Sequence, residues 1–554
     1  MAFNPDQDNP KVHYLCKIEL DGYTLRVADV DIARSDQTLW IGIMSPTTTI
    51  AQDLGSLLEP KYISGSFTVT LDNKDDAVRD LFEVHEWANR PVTIEIGESA
   101  TAANYSEWAK GVVRFPGGVS YTQGQAIIVC DDIRERDSLN LPTTRFDPAT
   151  YTNMETKSRY KTIPTVYGDW RTTAGGGETI PAYQIDSTVG TGGSFKIASH
   201  ALKGIEVVYL NGASVSFTIT SLNNATFTLN VAYSPASDEI TVNCQGATDD
   251  GTSAGNMIES PKNILNDILI TRLGLSSGDL DAASFTSYNT NTSSIKVRRW
   301  IGGSSAISSN TLIQQLMIET FSDLTLISNT YAPVYRTVSS ASSLTNFYHY
   351  DIQRTGKGPE GQTAFEVLRD PDRLYANRVT GGYRFKPVEQ EFAEYYTFED
   401  TAAQTNVLTV RERPISFYWI YGQSDCRSRI ELEVYVFGTA EVEVAATVLT
   451  NRALLKVPTN QFGLIFDKYG DEVNAIGTPF QIRRSERRMG QLSNRVRAWN
   501  ILNLTPGRWT GSTATTWLLS TAYERQSQGY WCDASGFADT SGSPDATSKR
   551  SRWF

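Results

Sequence analysis

The densest concentration of chemically capable side chains lies near the C-terminal end, where Arg483, Arg484, Arg487, Arg488, Arg495 and Arg497 surround a single acid, Glu486. A guanidinium presents a rigid fork of donors that matches carboxylates and phosphates. Two readings of this segment stand open. In one, it is a solvated strand-turn-strand whose arginines pair with neighbouring carboxylates. In the other, it is an inter-subunit contact against an acidic neighbour. Nucleic-acid gripping ranks third. The chain carries 50 basic and 62 acidic residues, a net charge of −12 spread along its length, and phosphate neutralisation needs a basic face. A like-charged wall repels phosphate and lets DNA slide past without sticking.

Other chemistry is sparse. The five cysteines (Cys16, Cys130, Cys244, Cys426, Cys532) are odd in number and scattered, and the four histidines stand apart. Disulfide frameworks and zinc sites need an even count or close spacing, so neither a disulfide nor a metal is expected. His85-Glu86 has no second histidine three residues on, and Gly190-Thr191-Gly192-Gly193 lacks the third glycine of a dinucleotide loop. Neither a Walker loop nor a nucleophile elbow occurs. No catalytic residue and no cofactor is therefore expected, while the abundance of carboxylates leaves a glycosidase-type pair open. Asp467-Lys468-Tyr469-Gly470-Asp471-Glu472 lacks the ligand spacing of a calcium loop and reads as an acidic turn. The 11 Trp and 26 Tyr form no evenly spaced ladder, so they read as core and interface aromatics rather than sugar platforms.

The elements that must position these residues are mainly strands. Tyr14, Cys16, Ile18 and Leu20 alternate with polar neighbours before the Asp21-Gly22 turn, and Phe67, Val69 and Leu71 do so before Asp72-Asn73. Val92, Ile94 and Ile96 repeat the pattern, followed by strands at residues 111–115 and 127–132. Period-two alternation buries one face of each strand, and several such strands in sequence make a barrel or sandwich. A second β-rich unit spans about residues 160–250, with Asn211-Gly212 as a hairpin turn. Helical spacing then appears twice. Ser260-Pro261 caps a stripe of Ile264, Leu265, Ile268, Leu269 and Leu273, and Leu312, Ile313, Leu316, Met317 and Phe321 form another. Residues 330–400 show little periodicity. Strands are expected at 415–421 and through Leu432, Val434 and Val436. A third helix is expected at 440–455, followed by closing strands near 463–466, 479–483 and 496–504.

A length of 554 residues exceeds what one core serves, which implies roughly three or four domains. No stretch approaches the ~20 apolar residues of a membrane span, and Met1-Ala2-Phe3-Asn4-Pro5-Asp6 lacks the basic start of a signal peptide, so synthesis in a cytoplasm is expected.

Four segments, in order, resemble the hub proteins of bacteriophage tail tips and baseplates. They are Gly65-Ser66-Phe67-Thr68-Val69-Thr70-Leu71-Asp72-Asn73, with the later Arg90-Pro91-Val92 and Gly111-Val112-Val113; Ile163-Pro164-Thr165-Val166-Tyr167-Gly168, with the strand at 205–212; the helices at 261–273 and 311–321, with Leu280-Asp281-Ala282-Ala283-Ser284-Phe285 between them; and residues 441–455 leading to Pro458. The resemblance implies an α+β, mainly β, multidomain chain. In it, a first tube-like β-barrel domain takes residues 1–155, an inserted β domain 156–252 and an α+β domain with two amphipathic helices 253–395. A second tube-like β domain takes 396–505 and a C-terminal extension 506–554. It further implies a homotrimer forming a six-fold-like ring, with tail tube or distal tail proteins, a central spike or tip protein and the tape-measure protein as partners. DNA would pass through transiently, no membrane would be engaged, and the site of action would be the virion tail, assembled in the bacterial host cytoplasm. The alternative is a receptor-binding or carbohydrate-degrading tail protein.

Overall fold

The computed structural model describes residues 12–501 except 34–37, 46–48, 56–64, 74–76, 98–104, 123, 133–137, 173–177, 304–305, 328–329, 338–343, 354–364, 370–374, 439–441, 467–476 and 490–492; beyond 501 it describes only 508–509 and 528–529. The acidic turn at 467–472, Cys532 and nearly all of the C-terminal extension lie outside the described residues. The fold is mainly β and multi-sheet with a few helices, as the alternation predicts.

The first unit comprises β1 (His13–Leu20), β2 (Tyr23–Ala28), β3 (Thr49–Asp53), β4 (Gly65–Asp72), α1 (Ala77–Val84), β5 (Pro91–Gly97), β6 (Ser106–Val113), β7 (Val119–Tyr121) and β8 (Gln125–Asp131). Antiparallel ladders run β2-β1-β5-β6-β8-β4. Residues 41–45 close the ring: Ile41 bridges to Val27 and Met44 to Leu71. The alternating residues of the sequence fill this barrel, with Cys16, Ile18, Val69, Leu71, Val92, Ile94 and Ile128 buried in one core. That alternation places every second side chain inside, which is why these strands are legible without the structure.

Residues 180–245 build two four-stranded sheets around Phe195, Phe227, Leu229, Val242 and Cys244. Asn211 and Gly212 both have positive φ, at 50° and 80°. The strands Gly204–Leu210 and Ala213–Val215 turn on them, as the Asn-Gly pair predicts.

Three capped helices follow. Ser260 caps α2 (Pro261–Asn266), whose stripe continues through a wider turn at Asp267–Arg272. Asp281 caps α3 (Ala282–Thr292), and Ser308 caps α4 (Ser309–Glu319). A hairpin of β9 (Ser322–Ile327) and β10 (Thr330–Tyr335) comes next.

The remaining chain departs from the expected order. β11 (Thr345–Tyr348) and β12 (Phe365–Arg369) lie in the stretch read as aperiodic. Then come β13 (Arg378–Lys386), β14 (Glu391–Glu399), β15 (Glu412–Ser416) and α5 (Gln423–Phe437). β16 (Val442–Val448), β17 (Gln461–Ile465), β18 (Thr478–Arg488) and β19 (Ser493–Asn500) follow. Residues 430–436 are therefore helical, with Cys426, Ile430, Val434 and Phe437 as the buried stripe. The helix expected at 440–455 is strand β16. Its Val444, Ala446 and Val448 face a core while Glu443, Ala445 and Thr447 are buried on the other side. Val442, Val444, Ala446 and Val448 do alternate with Glu443, Ala445 and Thr447, but Val444, Val448, Leu449 and Leu455 also fit helical spacing, and a short apolar run satisfies both periods.

Two cores meet in this stretch. Residues 376–437 pack with the helices at 261–321, whereas β11 and β12 belong with β16 to β19. Those six strands form a second barrel. It is closed where Ile352 bridges to Val448, as Met44 bridges to Leu71 in the first.

Glu319, at the end of α4, ties the two parts of the helical unit together. Its buried carboxylate accepts the backbone N–H groups of Tyr418 (2.7 Å), Trp419 (2.8 Å) and Ile420 (2.9 Å), which would otherwise lack acceptors in the core. Burial pushes this carboxyl up to about 7 from 4.5, against the pull of the three N–H groups and Arg299. Between those two pH values the folded chain holds more proton than the unfolded one, so this group makes stability fall as pH rises. Glu319→Gln is expected to flatten that decline in denaturant unfolding followed across pH; an unchanged slope contradicts the assignment.

Candidate functional site: the sheet shared by the two barrels

The two barrels are one sheet where they meet. Strand β3 pairs β4 through Ile50 to Gln52, and on its other edge pairs antiparallel with β18: Asp53 faces Arg484, Gln52 faces Ser485, Ala51 faces Glu486, Ile50 faces Arg487 and Thr49 faces Arg488. The first half of β18 pairs β17 instead, so the strand serves its own barrel and then the seam. A bulge between Ile482 and Arg484 marks the change, bending the strand and re-aiming its side chains. The result is a continuous run β7-β8-β4-β3-β18-β19-β16-β12, part of a fourteen-stranded sheet.

The bulge sorts the six arginines onto two faces. Arg483 and Arg487 are each 1% exposed and point inward. Arg484, Arg488, Arg495 and Arg497 lie on the outer face. Arg483 donates to Asp323 Oδ2 (2.6 Å) and to the carbonyls of Leu54 and Gly55 (both 3.1 Å). Arg336 grips the same carboxylate in bidentate fashion at 3.0 and 2.9 Å. One buried carboxylate thus joins the first barrel, the β9–β10 hairpin and the second barrel. Burial alone would raise the pKa of Asp323, but Arg336 and Arg483 outweigh it and hold the group well below the carboxylate range. Arg487 donates to Trp108 O (2.7 Å) and Gln52 Oε1 (2.9 Å), and its guanidinium lies 5.4 Å from the Trp108 ring. Burial pushes it down to about 10. Trp108 in turn donates Nε1 to Leu454 O (3.0 Å), a further tie across the seam.

Of the six arginines named as a possible inter-subunit contact, Arg483 and Arg487 lie at the seam within the chain. Both are spent inside the chain, holding its two barrels together. The other four share the outer face with Asp53, Glu366 and Glu486, and Glu443 lies buried beneath Arg497 on the same side. Arg484 pairs with Glu486, and Arg497 with Glu443. Residues Glu366, Ala445, Arg484, Glu486, Arg495 and Arg497 line a shallow cavity of about 180 Å³ there. On the first barrel the same face carries Ser66, Thr68, Thr70, Ser120 and Ile127, with Asp131 gripped by Arg114 at 2.6–2.9 Å. The face is mixed in sign and contains no basic stripe among the described residues.

Sequence reasoning missed the partners. Asp323, Arg336, Trp108 and Gln52 stand far from the arginines in the chain, and no spacing announces them. A second buried network was missed as well. Glu178, from the inserted unit, binds Arg298 and Arg384 (2.8 Å), while Arg298 is sandwiched between Trp170 and Tyr421, 4.6 Å from each ring. Burial alone would raise the pKa of Glu178, but the two arginines hold it below the usual range.

A larger cavity of about 490 Å³ lies between the inserted unit and residues 387–390, lined by Glu155, Tyr183, Tyr233, Glu239 and Trp300 among others. Lys157 and Lys161 sit over the Tyr233 and Tyr183 rings at 5.4 and 5.5 Å. Tyr233 donates to Glu155 at 2.7 Å. Those rings are covered rather than offered as a stacking platform.

No family model matches the sequence, and no curated protein matches it. Among solved structures, the chain is similar to the prophage MuSo2 43 kDa tail protein from Shewanella oneidensis, at 10% identity over 88% of this chain and 98% of that one, with a TM-score of 0.40. A tail protein from Neisseria meningitidis MC58 gives 8%, 88% and 96%, with a TM-score of 0.36. Prophage tail protein gp18 from Listeria monocytogenes EGD-e gives 9%, 88% and 94%, with a TM-score of 0.31. The resemblance to tail proteins expected from the sequence recurs among these structures.

Two substitutions separate the two arginine faces. Asp323→Ala leaves two buried guanidinium groups short of their carboxylate and is expected to cost about 3–5 kcal/mol, whereas Arg484→Ala on the outer face is expected to change stability by no more than about 0.5 kcal/mol. Thermal unfolding of both variants measures the contrast. Because the pKa of Asp323 is depressed on folding, its contribution is present above roughly pH 3.9 and is lost as pH falls below that. The acid-side loss of stability is expected to shrink in Asp323→Ala.

Proposed function

We propose that the chain is a structural hub of a phage tail tip or baseplate. In this reading three copies close a ring that joins a hexameric tail tube to a central spike or tip. The observation that carries it is the continuous sheet. Two barrels share one antiparallel run of strands, and the strand runs β3-β4-β5-β6/β7-β8 and β12-β16-β17-β18-β19 correspond in order and pairing. A repeat of this kind lets copies related by three-fold rotation present six similar barrels, and closed cyclic assembly follows from repeating one heterologous contact.

The outer face of the sheet would line the channel. Its mixed charge suits passage of DNA and a tape-measure protein without specific binding, because no basic stripe accumulates phosphate contacts. The work of the protein is then geometric rather than catalytic. Tail tube or distal tail proteins above and the spike or tip below would be its standing partners, and the virion tail its location.

The purified chain is expected to show three-chain mass in native mass spectrometry, and virions are expected to contain it in a small, fixed copy number. A chain absent from virions contradicts the reading. A chain that instead binds host cells or releases sugar from their surface supports the receptor-binding or carbohydrate-degrading alternative.

A further inference from the structure

We infer that a second copy of this chain docks by strand addition between β12 of one copy and β7 of the next, with Val367 opposite Tyr121. This rests on the ring reading above and assigns the residues of its joint.

Among the described residues, β7 pairs only with β8, and β12 only with β16, so the shared sheet ends in a free edge on each side. Such edges are templates for another strand. Inside the chain the same kind of joint is already made, by β3 against the second half of β18. The internal repeat converts that joint into a register for the missing one. The closing bridges fix the alignment, since Leu71 faces Met44 in the first barrel and Val448 faces Ile352 in the second. Four residues earlier, Phe67 faces Ile50 and Val444 faces Val367. Val367 therefore occupies the position of Ile50. On the other side of the same strands, Leu71 faces Ala126, which faces Tyr121, while Val448 faces Asn494, which faces Arg487. Tyr121 therefore occupies the position of Arg487. Within the chain Ile50 faces Arg487, so between copies Val367 faces Tyr121, Leu368 faces Ser120 and Glu366 faces Thr122.

An independent feature agrees with this register. Ile50 is buried in the internal joint, but its counterpart Val367 is 37% exposed, and Tyr121 is 44% exposed although its ring stacks on Phe82 at 5.3 Å. Phe115, in the turn just before β7, is 68% exposed. Apolar side chains thus stand uncovered at both free edges, at the positions that pairing would bring opposite each other. Cross-strand aromatic and β-branched pairs are the units that stabilise such ladders.

Cysteines at 121 and 367 test the joint. Within one chain these positions are seven strand spacings apart, about 33 Å along the sheet, beyond any disulfide. The double variant Tyr121→Cys, Val367→Cys is expected to give two- and three-chain species on mild oxidation that collapse with reductant, while each single variant gives none beyond the unmodified chain. A charge pair provides a second measure. Tyr121→Lys should reduce the three-chain fraction in native mass spectrometry, and adding Val367→Glu should restore it. Three-chain assemblies without cross-linking in the double variant, and without an effect of Tyr121→Lys, overturn the edge joint while leaving the ring intact. A chain that stays monomeric, alone and with the tail proteins it is assembled with, overturns the ring and the joint together.

Discussion

The structure depends on one ladder, the antiparallel pairing of residues 49–53 with residues 484–488. These segments are more than four hundred positions apart in the chain. Closing them imposes a large loop entropy, and a short ladder alone does not offset it. The buried polar network does the rest. Arg483, Arg336 and Asp323 are each only 1% exposed, and each has its charge or donors answered across a different boundary. Such a network contributes less to stability than an apolar core of the same volume would. It is intolerant of misplacement, so the two barrels meet in one register.

That register gives the outer face its character. With β18 bulged after Ile482, its arginines divide between the seam and the surface, and the surface set lies beside Glu366 and Glu486. The same segment that reads as a basic patch in sequence becomes, in three dimensions, a fastener on one side and a mixed-charge wall on the other. The inserted β unit is held to the helical unit by an analogous device, Glu178 between Arg298 and Arg384. In both places a buried carboxylate shared by two arginines marks a junction between units.

What the sequence made legible was local. Alternation at Cys16, Ile18 and Leu20 or at Phe67, Val69 and Leu71, the Asn211-Gly212 turn, and the cap at Ser260 depend on neighbours within a few residues, and each recurs in the structure. The exchange of helix and strand between 423 and 448 shows where local rules fail. Strand β16 alternates at Val442, Val444, Ala446 and Val448, yet Val444, Val448 and Leu455 fit a helical period as well, while α5 carries alternating apolar residues at 432, 434 and 436 beside its true stripe. The seam was not legible at all, since nothing in the spacing of Arg483 and Arg487 points to Asp323, Gln52 or Trp108. Of the six arginines named as a contact, the burial of two followed from a bulge that only the ladder reveals.

The central claim is that this sheet is a segment of a closed ring. A cryo-electron microscopy map of the tail tip tests it most directly. The account predicts a central ring of three copies with six similar barrel lobes and one unbroken sheet around the channel. Density for the chain in a peripheral fibre, or in a ring whose sheet is interrupted at every copy, would contradict it.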